Sequence, residues 1–220
     1  MRNIYLILII LLSIGVGGQK YSFDFLTKYE SKSTDSNRPG SQDVVNYFNS
    51  DDFNYYLRLF KNKSGFYAYL YDYSKMKWHK FDVKEDYKNG ELQFTFDYAG
   101  TKQLTWSKSS FKNYRFEFSN VSDKSANLKI YKNQKATKPL REYTFQLKKA
   151  NKNLFPMIRI AMMHPYENIE ALDITKNVIV EKATDICIEK ECNCEMTLTA
   201  YKNVELDLVI TTEKKFINSW

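Results

Sequence analysis

The chain has little of what breaks regular structure and little of what carries most enzyme chemistry. Seven Gly and four Pro among 220 residues exclude a collagen-like or linker-like chain, both of which need these residues in quantity. Histidine is limited to His79 and His164, and cysteine to Cys187, Cys192 and Cys194. There is no Gly-x-Ser-x-Gly elbow, no His-Glu-x-x-His, no Walker loop and no dinucleotide glycine fingerprint. After residue 18 no apolar run approaches the about 20 residues that a spanning helix requires. No motif assigns a reaction, and no cofactor or metal is expected.

Aromatic residues, in contrast, are abundant. Seventeen Tyr, fifteen Phe and three Trp make 16% of the chain aromatic, which excludes intrinsic disorder, because disordered segments lack the apolar surface that offsets ordering entropy. Charge is also plentiful, with 33 basic residues against 26 acidic ones and a net charge of +7. Only six of the basic residues are Arg, at 2, 38, 58, 115, 141 and 159. Lys is a mobile, strongly hydrated point charge, whereas Arg clamps phosphate and reads guanine. The Lys are dispersed among acids, as in Lys84-Glu85-Asp86-Tyr87-Lys88, so specific nucleic-acid binding is not expected. The densest basic stretch, Lys124 to Lys152, reads as a solvated face whose Lys discourage edge pairing. Its alternative is attraction to an anionic surface such as lipopolysaccharide or acidic glycan.

The first segment has the three parts of a secretory signal peptide: the basic start Met1-Arg2-Asn3, the apolar Ile4 to Leu12, and the small residues Ser13 to Gly18. Cleavage is expected after Gly18, giving a signal peptide at 1–18 and a single β-rich domain at 19–220. The product is exported, periplasmic or extracellular. It is not expected to be a lipoprotein, because the first Cys is Cys187, far from the cleavage site.

Period-two alternation dominates the rest. Leu92, Phe94, Phe96 and Tyr98 alternate with polar residues, as do Tyr114, Phe116 and Phe118, and Val204, Leu206 and Leu208; each set predicts a strand with one buried face. Weaker sets are Tyr21 to Phe25, Tyr55 with Leu57 and Leu59, Leu128 with Ile130, and Tyr143 with Phe145 and Leu147. Such one-faced strands belong to antiparallel sheets. Turn signals fall between them at 49–52, 62–65, Lys88-Asn89-Gly90 and Ala99-Gly100. Phe66 to Tyr71 is aromatic or apolar on both faces and predicts a central strand covered twice. Phe155 to His164 predicts one short helix, with Pro156 in its first turn and Pro165 beyond its end. Being apolar nearly all round, it is expected to be a buried plug or a helix packed on the concave face of the sheet rather than a surface helix. Segment 31–42 reads as a mobile loop. The fold class expected is mainly β, a single antiparallel meander sheet or half-barrel packed with one or two short helices.

Several constellations could carry chemistry. In an oxidising compartment Cys187 is expected to pair with Cys192 or Cys194, depending on the turn between them, leaving one thiol over. A zinc site would need a fourth ligand from Glu189, Glu191, Glu195, His79 or His164, and it is the weaker reading. His164 with Asp173 or Glu167 would suit a hydrolase, but a helix-capping role is the simpler account. Asn62-Lys63-Ser64 and Asn120-Val121-Ser122 match the glycosylation acceptor pattern. The aromatic strands offer Tyr67, Tyr69, Tyr71, Phe94, Phe96 and Phe116 as candidate ligand-binding residues, against the plainer reading that they fill the core.

An antiparallel meander plus a short apolar helix behind an export leader resembles the half-barrels of lipoprotein carriers and, less closely, lipocalins. The likeness is one of architecture and implies a fold. No Gly-x-Trp lipocalin signature occurs, so no site residue is carried over. Together these readings give a soluble, exported binding or carrier-like envelope protein for an apolar or glycan ligand or a protein partner. The alternatives are a small outer-membrane β-barrel, which shares the alternation, and a hydrolase without a recognisable motif.

Overall fold

The computed structural model describes residues 18–34, 40–88, 91–105, 113–162, 172–188 and 192–211. The expected leader therefore lies outside the described residues, apart from Gly18. Among the described residues eleven strands and one helix follow in chain order: β1 (Gln19–Ser33), β2 (Gly40–Asn49), β3 (Asp52–Asn62), β4 (Gly65–Asp72), β5 (Lys77–Lys88), β6 (Glu91–Gln103), β7 (Arg115–Ser119), β8 (Ser125–Tyr131), β9 (Arg141–Lys149), α1 (Pro156–Met162), β10 (Val178–Cys187) and β11 (Cys192–Ile210).

All strands belong to one antiparallel sheet in the order β6-β5-β4-β3-β2-β1-β11-β10-β9-β8-β7. The chain therefore makes two meanders, one outward from β1 to β6 and one inward from β7 to β11, joined where β1 pairs β11. Ten inter-strand gaps at about 4.8 Å would set the edges of a flat sheet about 48 Å apart. The twelve steps from Gln103 to Arg115 span at most about 43 Å, so the sheet must curve. It does not close, since β6 and β7 remain its two edges. That corrects the outer-membrane barrel alternative, because a membrane-spanning sheet has to pair every edge.

The curved sheet buries residues on both faces. On the face that carries α1, one cluster joins Tyr29, Val44, Leu128, Tyr143, Phe145 and Val180 to Phe155, Ile158 and Ala161. A neighbouring cluster joins Phe25, Phe48, Tyr56 and Tyr73 to Met157 and Ile160. The helix is thus sunk among side chains all round, as its sequence predicts, and even its one charged residue, Arg159, is 1% exposed. Pro156 opens it, where a missing N–H costs nothing.

The second face is covered by the ends of β1 and β11. β1 pairs β2 only from Phe25 to Ser33. Its earlier residues instead cross that face with the last residues of β11, setting Phe23 edge-on to Tyr47 at 6.5 Å and to Tyr55 at 5.6 Å. Tyr21, Phe23, Leu208 and Ile210 pack there with Leu57, Leu59, Ala68, Leu70 and Phe81.

Some local expectations need correction. Ala99-Gly100 is not a turn: β6 runs on to Gln103, and Ala99 is the extra residue of a bulge between the pairs Lys80↔Gly100 and Phe81↔Tyr98. The loop expected at 31–42 is shorter, since β1 continues to Ser33 and β2 resumes at Gly40. Polar side chains do not stop a ladder that backbone groups make, and Ser31 even turns inward at 6% exposure. Residues 35–39 lie outside the described residues. β4 is an interior strand, third from the β6 edge rather than central, and it is not covered twice: the face bearing Ala68, Leu70 and Asp72 is the buried one, while Tyr67, Tyr69 and Tyr71 are half-buried.

Candidate functional site

The half-buried side of β4 defines the site. Register places Tyr56, Arg58 and Phe60 of β3 opposite Tyr71, Tyr69 and Tyr67 of β4, and Trp78 and Lys80 of β5 opposite Tyr71 and Tyr69. These side chains share the face that carries α1. Phe60 stacks on Tyr67 at 5.2 Å, and Tyr69 meets Tyr67 edge-on at 5.4 Å and Trp78 at 4.8 Å. Tyr71 lies flat on Tyr56 at 5.0 Å. Tyr56 is buried, while Phe60, Tyr67, Tyr69, Tyr71 and Trp78 are only half-buried. They form an aromatic shelf that continues the α1-covered part of the face. Burial pushes the Tyr69 and Tyr71 hydroxyls above the usual phenol range, helped by their neighbouring tyrosines.

Three of the six aromatic residues expected from the sequence, Tyr67, Tyr69 and Tyr71, meet on this shelf. Phe94 and Phe96 do not: they lie on the opposite face of edge strand β6, against Phe66 at 5.4 Å and Tyr47 at 6.0 Å. Phe116 sits at the far edge of the sheet, packed against the cluster of β8 and β9. Sequence reasoning missed Phe60, Trp78 and Arg58. Their signal was present, since Phe60 and Arg58 alternate with the buried Leu57 and Leu59, but only register with β4 shows what they face.

A polar rung borders the shelf. Thr27, Asn46, Arg58, Tyr69 and Lys80 stand opposite one another across β1 to β5. Arg58 donates from Nε to Asn46 Oδ1 at 2.9 Å and from Nη2 to the Ile160 carbonyl of α1, with its guanidinium 5.7 Å from the Tyr56 ring centre. It thus stands where the α1-covered region meets the shelf.

Two other polar groups lie apart from it. On the second face Tyr21 donates to Asp72 Oδ2 at 2.8 Å and lies 3.2 Å from His79 Nε2, while Tyr98 and His79 Nδ1 both meet Thr101 Oγ1. With Tyr21 donating to Asp72, its oxygen accepts from His79 Nε2–H, and Nδ1 then accepts from Thr101. His79 is 0% exposed, so this chain of bonds holds the end of β1 against β4 and β5. At the other end of the sheet Arg141 pairs with Asp185, whose carboxyl burial pushes up although the guanidinium pulls it down.

The cysteines lie beside that pair. Cys187 stands opposite Cys192, and Cys194 opposite Asp185 and Ser33. The alternative bond from Cys187 to Cys194 is therefore out of register. The expected disulfide is not formed in the structure, where Cys187 and Cys194 are free thiols. Cys194 Sγ lies 3.5 Å from Ser31 Oγ, and burial pushes its thiol up. Among the described residues no three His, Cys, Asp or Glu side chains gather as a metal-binding group. Glu189, Glu191, Glu167 and His164 lie outside the described residues.

No protein-family model matches the chain, and no curated protein matches it. Among solved structures, it is similar to an outer membrane lipoprotein-sorting protein domain from Vibrio parahaemolyticus, with a TM-score of 0.25, 9% identity, and coverage of 82% of this chain and 85% of that one. At that TM-score the likeness transfers neither fold nor function.

Proposed function

We propose that this chain is an exported binding protein whose aromatic shelf holds an apolar ligand in a carrier-like role. The observation that carries the reading is the half-exposure of Phe60, Tyr67, Tyr69, Tyr71 and Trp78 beside α1. Aromatic side chains bring large apolar area, and a contiguous patch of them left at the surface marks a place where something binds. Export is supported by the basic start, apolar run and small-residue segment of residues 1–18.

The test is titration of the delipidated chain with fatty acids, lipopeptides and glycans, read by Trp fluorescence and thermal shift. The apolar ligands are expected to change the emission and raise the melting temperature, and Trp78→Phe to remove most of the emission change while retaining binding. No response to any apolar ligand would overturn the reading. The export reading fails if the chain recovered from the envelope or medium still begins at Met1.

A further inference from the structure

Thr27, Asn46 and Arg58 form a polar rung on a face that is apolar to either side. Phe25, Phe48 and Tyr56 make the rung before it, and Tyr29 and Val44 follow. Thr27 and Asn46 are each 0% exposed. Among the described residues neither the Thr27 hydroxyl nor Asn46 Nδ2 has a hydrogen-bond partner. Buried polar atoms without partners are uncommon because the desolvation they suffer is not returned, and here two lie side by side on adjacent strands. Asn46 Oδ1 is already taken by Arg58 Nε, so what Asn46 has left is donor capacity. Arg58 meets only neutral acceptors, Asn46 Oδ1 and the Ile160 carbonyl, and among the described residues no carboxylate pairs with it. Its Nη1 hydrogens and one Nη2 hydrogen stay unused. A half-buried cation without a counter-charge, next to an unused amide and hydroxyl, is the donor set that an oxyanion recruits.

We propose that this rung receives the oxyanion headgroup, a carboxylate or phosphate ester, of an acyl-chain ligand whose tail lies along the aromatic shelf. This rests on the shelf reading above and adds the headgroup to it. Arg58 supplies the charge from the shelf side, and Asn46 and Thr27 supply the two donors behind it.

The test uses the full delipidated chain with laurate, dodecyl phosphate, dodecanol, acetate and inorganic phosphate as probes. Laurate or dodecyl phosphate is expected to bind about tenfold or more tightly than dodecanol, the order of one charge-assisted contact. Acetate and inorganic phosphate, which lack the tail, are expected to bind far more weakly. Arg58→Gln is expected to erase the preference for the anionic amphiphile over dodecanol. Thr27→Val, which keeps the shape and removes the hydroxyl, is expected to raise the melting temperature of the free chain and to weaken laurate or dodecyl phosphate binding. A hydroxyl served only by a buried water would leave that binding unchanged, and this result counts against the proposal. If the anionic amphiphiles bind no more tightly than dodecanol, or if acetate binds as well as laurate, the headgroup site is wrong and the apolar shelf stands. If dodecanol and laurate both fail to bind, both readings fall. Should Arg58→Gln not fold, Thr27→Val decides alone.

Discussion

At Asp72, which is 2% exposed, burial raises the carboxyl's pKa, but bonds from Ser74, the Lys75 amide and Tyr21 outweigh it and hold the group below its ordinary value. A lowered folded pKa contributes stability above the unfolded value of 3.8 and loses it as pH falls through the folded one. Asp185 behaves in the opposite sense. Desolvation holds its pKa up despite Arg141, so its contribution is greatest below the unfolded value and is lost as pH rises through the folded one. In urea melts across a pH series, Asp72→Asn is expected to cost about 1–3 kcal/mol near neutrality, with the deficit shrinking below about pH 4. Asp185→Asn, which still accepts from Arg141, is expected to gain on the wild type as pH rises from acid to neutral. A deficit for Asp72→Asn that stays constant with pH would contradict the bonding seen at Asp72. None of this was legible in the sequence, where Asp72 and Asp185 read as two acids among 26.

Among the elements, α1 depends on its surroundings rather than on itself. It has seven residues, too few for a stable isolated helix in water, so packing must hold it. Ile158→Ala, at a 1% exposed position between α1 and the sheet, is expected to cost about 2–5 kcal/mol in denaturant melts. A loss well under 1 kcal/mol would mean that α1 is loosely seated. The β10–β11 hairpin offers a second test. With Cys187 opposite Cys192, oxidised glutathione or an exported disulfide oxidase is expected to form that bond and leave Cys194 reduced. The short loop it closes corresponds to about 2 kcal/mol of stabilisation. Intact mass and thiol titration under native and denaturing conditions check this, and three free thiols in protein recovered from an oxidising compartment would refute it. The alternation that predicted most strands is a local property and so was readable. The bulge at Ala99 was not, because an Ala-Gly pair suits a turn equally well and only pairing with β5 selects between them.

Across the whole molecule, the two terminal strands meet in the middle of the sheet, and their ends form the cover of the second face. Removing the chain from Val204 onward is expected to expose Tyr21 and Phe23, abolish the cooperative thermal transition and produce strong binding of a hydrophobic dye. Retention of a cooperative melt in that truncation would show that β1 and the second cluster do not need the end of β11. Because Gln19 pairs with Ile210, this junction closes the largest loop in the chain, and its slow formation is expected to limit the folding rate.

The sequence by itself determined that the protein is an aromatic-rich antiparallel sheet with one buried helix, because side-chain period and helix punctuation follow from neighbours a few residues apart. It also carried the leader reading. Only the tertiary structure decided that the sheet stays open and where its aromatic residues gather. Tyr67, Tyr69 and Tyr71 lie in a run that is aromatic or apolar on both faces, whereas Phe94, Phe96 and Phe116 lie in alternating runs, and nothing local shows where any of the six will point. Strand order and curvature send them to three different places. The polar rung is the extreme case. Thr27, Asn46 and Arg58 are unremarkable in the sequence, and each acquires its chemistry only when pairing between β1, β2 and β3 lines them up inside an apolar face.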